Sequence, residues 1–195
     1  MVKSYSDSDI LTRMQSLPSY TGMPEGYHII VVRSNEDTFN VFDDKAYLFH
    51  GGRFVLVCSC TSNPGGPSLL GGWKKHNKKG SAVIKSDEIY YDGLSYGLHN
   101  GKMPALRQVK PFKYFSDGNN DKKIDEVGTV ETSIRNTNFH FNSYRVFEKV
   151  KLAVSNIVGE WSHGCVVCNE KEKYEEIITR TKGQKFVTIT LLKEF

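Results

Sequence analysis

The stretch Asn169-Glu170-Lys171-Glu172-Lys173-Tyr174-Glu175-Glu176-Ile177-Ile178-Thr179-Arg180-Thr181-Lys182-Gly183, followed after Gln184 by Lys185-Phe186-Val187-Thr188-Ile189-Thr190-Leu191-Leu192, decides how the rest of the chain is read. Acidic residues open the first part, Tyr174, Ile177 and Ile178 share a face, and Gly183 stops it, so a helix is predicted over 170–182 with Asn169 as its cap. The second part is a β-rich run and predicts a closing strand. Upstream of this pair the periodicity is that of short strands. Candidates are Tyr27–Arg33, Thr38–Phe42, Ala46–His50, Phe54–Cys60, Ala82–Ile84 and Glu88–Tyr91, with Pro104–Phe115 and Thr137–Phe141 in the same style. Gly, Asn, Asp and Pro clusters separate them. The other helix signal is N-terminal: Ser6-Asp7-Ser8-Asp9 precedes Ile10, Leu11, Met14 and Leu17 at helical spacing, and Pro18 ends it. The fold class expected is mainly β, a β-sandwich or a related fold, with a short N-terminal helix and a C-terminal helix followed by the closing strand. Residues 1–26 read as a helical arm and 27–195 as one domain.

Composition bounds the function classes. The chain has 195 residues, 38% hydrophobic and 25% charged, the balance of a globular protein. Twenty-six Lys and Arg against 22 Asp and Glu leave a net charge of +4 that is spread out, so nucleic acid is not an expected partner. The one dense basic run, Lys74-Lys75-His76-Asn77-Lys78-Lys79, reads as a solvated loop. No stretch reaches the roughly 18 apolar residues of a membrane helix. The N-terminal Met1–Met14 segment lacks an apolar leader, so the expectation is synthesis in the cytoplasm without a signal peptide. The four cysteines, Cys58, Cys60, Cys165 and Cys168, are too few for a disulfide scaffold.

Two groups of residues carry candidate chemistry. Asp117, Asn119, Asp121 and Asp125 place oxygen side chains at relative positions 1, 3, 5 and 9, the spacing of a calcium loop, with Ile124 at position 8. Lys122 stands where such a loop has Gly, and Gly128 where it has Glu. A structural calcium ion and a plain turn closed by Asx hydrogen bonds are both open. No other cofactor is expected. The second group is Trp161-Ser162-His163-Gly164-Cys165-Val166-Val167-Cys168. A cysteine becomes a nucleophile beside an imidazole or a helix N-terminus, and Cys165 has His163 two residues away and the predicted helix just after it. His140, in Asn138-Phe139-His140-Phe141-Asn142, supplies a second imidazole. Backbone amides around Gly164 can serve an oxyanion. A zinc site built from Cys165, Cys168 and either Cys58 and Cys60 or His163 is the competing reading.

Ser162-His163-Gly164-Cys165 behind a histidine-bearing strand resembles the active-site motif of L,D-transpeptidases, cysteine enzymes that remodel peptidoglycan stem peptides. The resemblance is strongest over residues 95–195. With His99, Ala105-Leu106-Arg107-Gln108 and the Asp117–Asp125 loop it looks like a divergent branch of phage and Bacteroidetes type. It implies Cys165 as nucleophile, His140 as general base and His163 as the histidine that lines the site. It implies Gly164 and Ser162 with His99 and Trp161 as the oxyanion and substrate-binding surroundings. The family's Asn or Arg two residues after the cysteine is Val167 here, and 145–155 reads as an insertion between His140 and Cys165. The implied partners are peptidoglycan stem peptides, with other phage virion or lysis proteins, and the implied place of action is the bacterial cell wall. A non-catalytic wall-binding or virion module on the same fold is the alternative that Val167 motivates.

Overall fold

The computed structural model describes residues 1–75, 79–153 and 155–195. In chain order the elements are helix α1 (Asp7–Gln15), strands β1 (Tyr27–Arg33), β2 (Asp44–His50) and β3 (Arg53–Thr61), the single turn α2 (Gly66–Leu69), and strands β4 (Ser81–Ile84), β5 (Glu88–His99), β6 (Met103–Gln108), β7 (Phe112–Asp117), β8 (Glu131–Ser133), β9 (Asn138–Phe141) and β10 (Val166–Cys168). Helix α3 (Lys171–Thr181) and strand β11 (Val187–Lys193) end the chain. Short 3-10 turns occupy Gly72–Lys75 and Gly159–Trp161. His76, Asn77 and Lys78, the middle of the basic run read as a loop, lie outside the described residues, as does Val154 within the segment read as an insertion. No described helix is long and apolar enough to cross a membrane.

Eight strands close into a barrel in the order β1-β11-β5-β6-β9-β10-β3-β2, and β4, β7 and β8 form a separate three-stranded sheet. The protein is therefore mainly β, as expected, and eight of its strands close into a barrel where the sequence suggests a β-sandwich or a related fold. The reason lies in two parallel pairings that alternation along the chain does not announce. β1 runs parallel to β11, with Ile29 opposite Ile189, and β9 runs parallel to β10, with His140 opposite Val167. The small sheet contributes Ala82, Ile84, Phe112 and Tyr114 to the same core as Ile29, Val31, Phe139, Val166 and Cys168.

The unbroken apolar run Ile29-Ile30-Val31-Val32 is explained by cover on both faces. Ile29 and Val31 point into the main core, while Ile30 and Val32 meet Ile10 and Met14 of α1. The α1 start is held by a capping box in which Ser6 and Asp9 exchange side-chain and backbone hydrogen bonds. At the other end α3 sends Tyr174, Ile177 and Ile178 into the main core, and the Tyr174 ring lies 5.9 Å from that of Phe139.

Three local expectations change. Thr38–Phe42 is a turn, not a strand: Asp37 and Asn40 take left-handed φ angles of 46° and 61°, and Val41 alone bridges to Ile157. Pro104–Phe115 is two strands assigned to different sheets. Asn169 is not the cap of α3, whose cap position is Glu170; the Asn169 amide donates to Ser155 O (3.4 Å) instead.

Close approach of backbones fixes the loops around β10. Gly65 N–H donates to Ser162 O at 2.8 Å, and a Cβ on Gly65 would stand 1.9 Å from Gly159 O. Asn40 Oδ1 accepts from Gly66 N–H (2.9 Å) and Gly159 N–H (2.8 Å), tying the same two loops together. Gly65→Ala is expected to lower stability by about 2 kcal/mol or more, because backbone must move. Gly183→Ala, where no atom lies within 4 Å of the new Cβ, should change it by less than about 0.5 kcal/mol. Thermal unfolding of the two variants checks the contrast.

Candidate active site

Strand alternation builds the site. On β10, Val166 and Cys168 face the barrel core, while Val167 and the preceding Cys165 join the outer cluster of Phe42, Val158 and Trp161. On β9, Phe139 and Phe141 face the core, which puts His140 on the outer face opposite Val167. The end of β5 brings His99 alongside, its ring stacked on that of His140 with centroids 4.1 Å apart. The result is a group of three. Cys165 Sγ and one nitrogen each of His99 and His140 lie within 4.8 Å of one another.

Hydrogen bonds fix which nitrogen does what. His140 Nδ1 lies 2.8 Å from Phe141 O and so carries the proton. Nε2 of His140 is buried and lacks a hydrogen-bond partner among the described residues, and with the proton on Nδ1 it is the unprotonated nitrogen of the ring. Asn138 Oδ1 accepts from Gln108 N–H (3.3 Å), which turns its Nδ2 toward His99 Nδ1 at 2.8 Å. His99 Nδ1 accepts that amide, and its Nε2 lies 3.1 Å from the Asn100 side-chain amide nitrogen. Asn138 also donates its backbone N–H to Cys165 Sγ (3.4 Å), and Asn136 O lies 3.9 Å from the sulfur.

The electrostatics favour neutral groups at rest. Burial, with the neighbouring His99 imidazole as the second cause, lowers the His140 pKa to about 3, against the partly opposing Phe141 and Trp161 carbonyls. Burial likewise lowers that of His99, helped by Arg107. Burial pushes the Cys165 thiol up to about 11, and the Asn138 N–H offsets this only in part. The predicted contribution of a helix N-terminus is missing, because the three residues of β10, roughly 10 Å of strand, separate Cys165 from the start of the α3 region.

The other residues named from the sequence take different places. His163 does not join the group of three; it lines a cavity of about 460 Å³ together with Ala82, Arg135 and Asn136, the last being the residue whose carbonyl faces Cys165. Ser162 is fully buried, donates its hydroxyl to Cys165 O (2.9 Å) and accepts Gly164 N–H (3.2 Å). Ser162 is thus the clamp of the turn that presents Cys165, and the Gly164 N–H expected to serve an oxyanion is already engaged. Gly164 has φ of 120°, and a Cβ there would lie 2.4 Å from Ala82 O. Only glycine lets this turn approach β4. Trp161 packs beside Cys165 and meets the Tyr144 ring edge-on at 5.1 Å.

The cysteines split in two. Cys168 sits opposite Cys60 inside the barrel with Cys58, on the far side of the wall from Cys165, so the zinc set pairing Cys165 with Cys168 is not assembled. Among the described residues the one group of His, Cys or carboxylate side chains able to hold a metal is His99, His140 and Cys165. In the Asp117–Asp125 loop, Asn119 Oδ1 accepts the Asp121 N–H, turning Nδ2 onto the carboxylates of Asp121 (2.9 Å) and Asp125 (2.6 Å). Asp117 Oδ2 accepts the Asp125 N–H at 3.3 Å. Those are the bonds of an Asx-closed turn.

Sequence reasoning missed Asn138, Asn136 and Gln108. The signal for Asn138 was present, since it lies two residues before His140 and so shares its face of the strand. Gln108 gave none. Its Oε1 accepts from Tyr114 OH (3.0 Å), Arg135 N–H (2.9 Å) and Thr137 N–H (3.1 Å), bonds visible only once three distant segments meet.

Comparison of the chain with protein-family models, curated proteins and solved structures gives no match.

With the thiol pushed up to about 11 and His140 lowered, the resting pair is thiol and neutral imidazole. Its reaction with iodoacetamide should therefore rise about tenfold per pH unit between about pH 7 and 9, following the growing thiolate fraction. Mass-spectrometric rates for the wild type, with Cys165→Ala to subtract the other thiols, check this. A rate already flat below pH 7 would mean a preformed thiolate–imidazolium pair.

Proposed function

We propose that Cys165 is the nucleophile of an acyl-transfer enzyme acting on peptide carbonyls, with peptidoglycan stem peptides as the substrate class. The observation that carries this is the meeting of Cys165 Sγ with a buried imidazole whose tautomer leaves Nε2 unprotonated. The substrate class rests on the likeness of Ser162-His163-Gly164-Cys165 to the L,D-transpeptidase motif, and the cavity lined by His163 beside Asn136 gives a peptide room to lie.

In this reading His140 Nε2 takes the thiol proton as Sγ attacks the carbonyl carbon. The tetrahedral adduct collapses to a thioester when His140 returns that proton to the departing amine. A group whose basicity is depressed is a strong acid once protonated, so the burial that makes imidazolium costly, with the stacked His99 beside it, also drives the return step. An incoming amine then resolves the thioester as transpeptidation, or water as hydrolysis. Trp161 walls the cysteine from one side, and Asn138 holds both the sulfur and His99.

The same three donors favour one second reading. Two imidazoles and a thiolate with an open fourth position suit a zinc ion, which would occupy the sulfur and forbid acylation. Intact-protein mass spectrometry after exposure to a carbapenem, an acylating mimic of the stem-peptide terminus, separates the two. The expected outcome is one adduct on the wild type, none on Cys165→Ala, and at least tenfold slower labelling of His140→Ala. An adduct that forms only after chelator treatment would place zinc on the thiol. Complete resistance with or without chelator would contradict the nucleophile.

A further inference from the structure

Cys60 and Cys168 take no part in the chemistry proposed for Cys165, yet the fold sets them face to face. They are register partners on the antiparallel strands β3 and β10, and both are fully buried in the barrel core with Cys58. Directly opposite residues in such a ladder are of two kinds, and the backbone bonds tell them apart. Asn169 N–H donates to Ser59 O at 3.3 Å, joining the residue after Cys168 to the residue before Cys60. Cys168 O accepts from Asn142 N–H at 3.1 Å, so the main chain of Cys168 bonds on the side away from β3. Cys60 and Cys168 are therefore a non-hydrogen-bonded pair, the kind whose Cα atoms approach to about 4.5 Å and whose side chains lie closest. A disulfide spans about 4.4 to 6.8 Å between Cα atoms, so this pair can be bridged where it stands. The third thiol of the core is placed less well. Cys58 meets the thiol of Cys168, but it sits two residues along β3 from Cys60, and such diagonal neighbours stand about 7 to 8 Å apart. Bridging that distance requires backbone to move. Cys165 lies on the outer face of the wall and is out of reach.

We propose that Cys60 and Cys168 are a redox pair, which a small disulfide oxidant converts to a cystine that staples β3 to β10 while Cys58 and Cys165 stay as thiols. With oxidised glutathione, one of the two thiolates attacks a glutathione sulfur and releases the first reduced glutathione. The other thiolate then attacks the mixed disulfide and releases the second. One disulfide is reduced and one is formed, and the protons of both cysteines leave on the two glutathione thiols. Burial pushes both cysteine thiols well above their ordinary range, so exchange proceeds through brief openings of the three-residue β10 and is slow. In a reducing cytosol the pair stays open, and in an oxidising compartment it closes. The staple fixes the strand that follows Cys165 directly in the chain, and it is independent of the role proposed for Cys165.

The test is intact-protein mass spectrometry of the folded chain held in oxidised glutathione, with urea below the unfolding midpoint to speed the openings, until the mass stops changing. The expected product is lighter than the reduced protein by the two thiol hydrogens and returns to the starting mass with dithiothreitol. Digestion without reduction should give the Cys60 peptide joined to the Cys168 peptide. The oxidised form should melt about 5 °C higher or more, because the link closes a long loop in the unfolded chain. Cys58→Ala should still close, and Cys60→Ala should not. A mass that never falls, a glutathione adduct that persists on the wild type, a link through Cys58 or Cys165, or a lower melting temperature after oxidation would each overturn the proposal. All four are read on the wild type, so none needs a variant to fold. Loss of carbapenem labelling with the staple still forming would instead count against the Cys165 reading alone.

Discussion

The parallel pairing of β9 with β10 is the constraint on which the rest depends. Val166 opposite Phe139 and Val167 opposite His140 set a register that closes the barrel between β6 and β3. A one-residue slip would exchange the faces of a strand, sending His140 into the core and Phe139 out of it. The register is enforced by core packing, since the rings of Phe139 and Phe141 both pack against Tyr174 of α3. Barrel closure, helix docking and the meeting of His140 with Cys165 are thus one event. The Gly164 turn completes it by approaching β4 more closely than any side chain would allow.

The same burial that makes the wall stable sets the chemistry proposed for its outer face. His140 is fully buried and its pKa sits low, and the Cys165 thiol sits high. In such surroundings a resting ion pair is unfavourable, and charge is created only when a reacting carbonyl is present to receive the sulfur's electrons. A site of this kind is quiet toward incidental electrophiles at neutral pH.

Much of this was legible in the sequence, and the part that was not has identifiable causes. Most of the β-rich runs, the cap residues Ser6 to Asp9 ahead of the N-terminal helix and the core face of α3 follow from local periodicity, and the structure bears them out. Cys165, His140 and His99 were singled out from residue type and motif, and the fold brings those three together. His163, adjacent in sequence to Gly164 and so the easier partner to choose, lies with the cavity instead. Barrel closure was not legible, because β1 and β11 are separated by most of the chain, and local alternation does not show that β9 and β10 pair in parallel across the segment 142–165. Thr38–Phe42 misled because its apolar residues serve an isolated bridge while Asn40 turns the backbone. The roles of Ser162 and Gly164 as a clamp and a close approach emerge only when β4 is placed beside them.

The central claim, that Cys165 performs acyl transfer on wall peptides, is tested most directly by incubating purified peptidoglycan with wild-type protein and with Cys165→Ala and resolving the released and cross-linked peptides by liquid chromatography and mass spectrometry. The account predicts a change in peptide length or cross-linking with the wild type that is absent with Cys165→Ala. Identical peptide profiles for wild type, Cys165→Ala and buffer would contradict it.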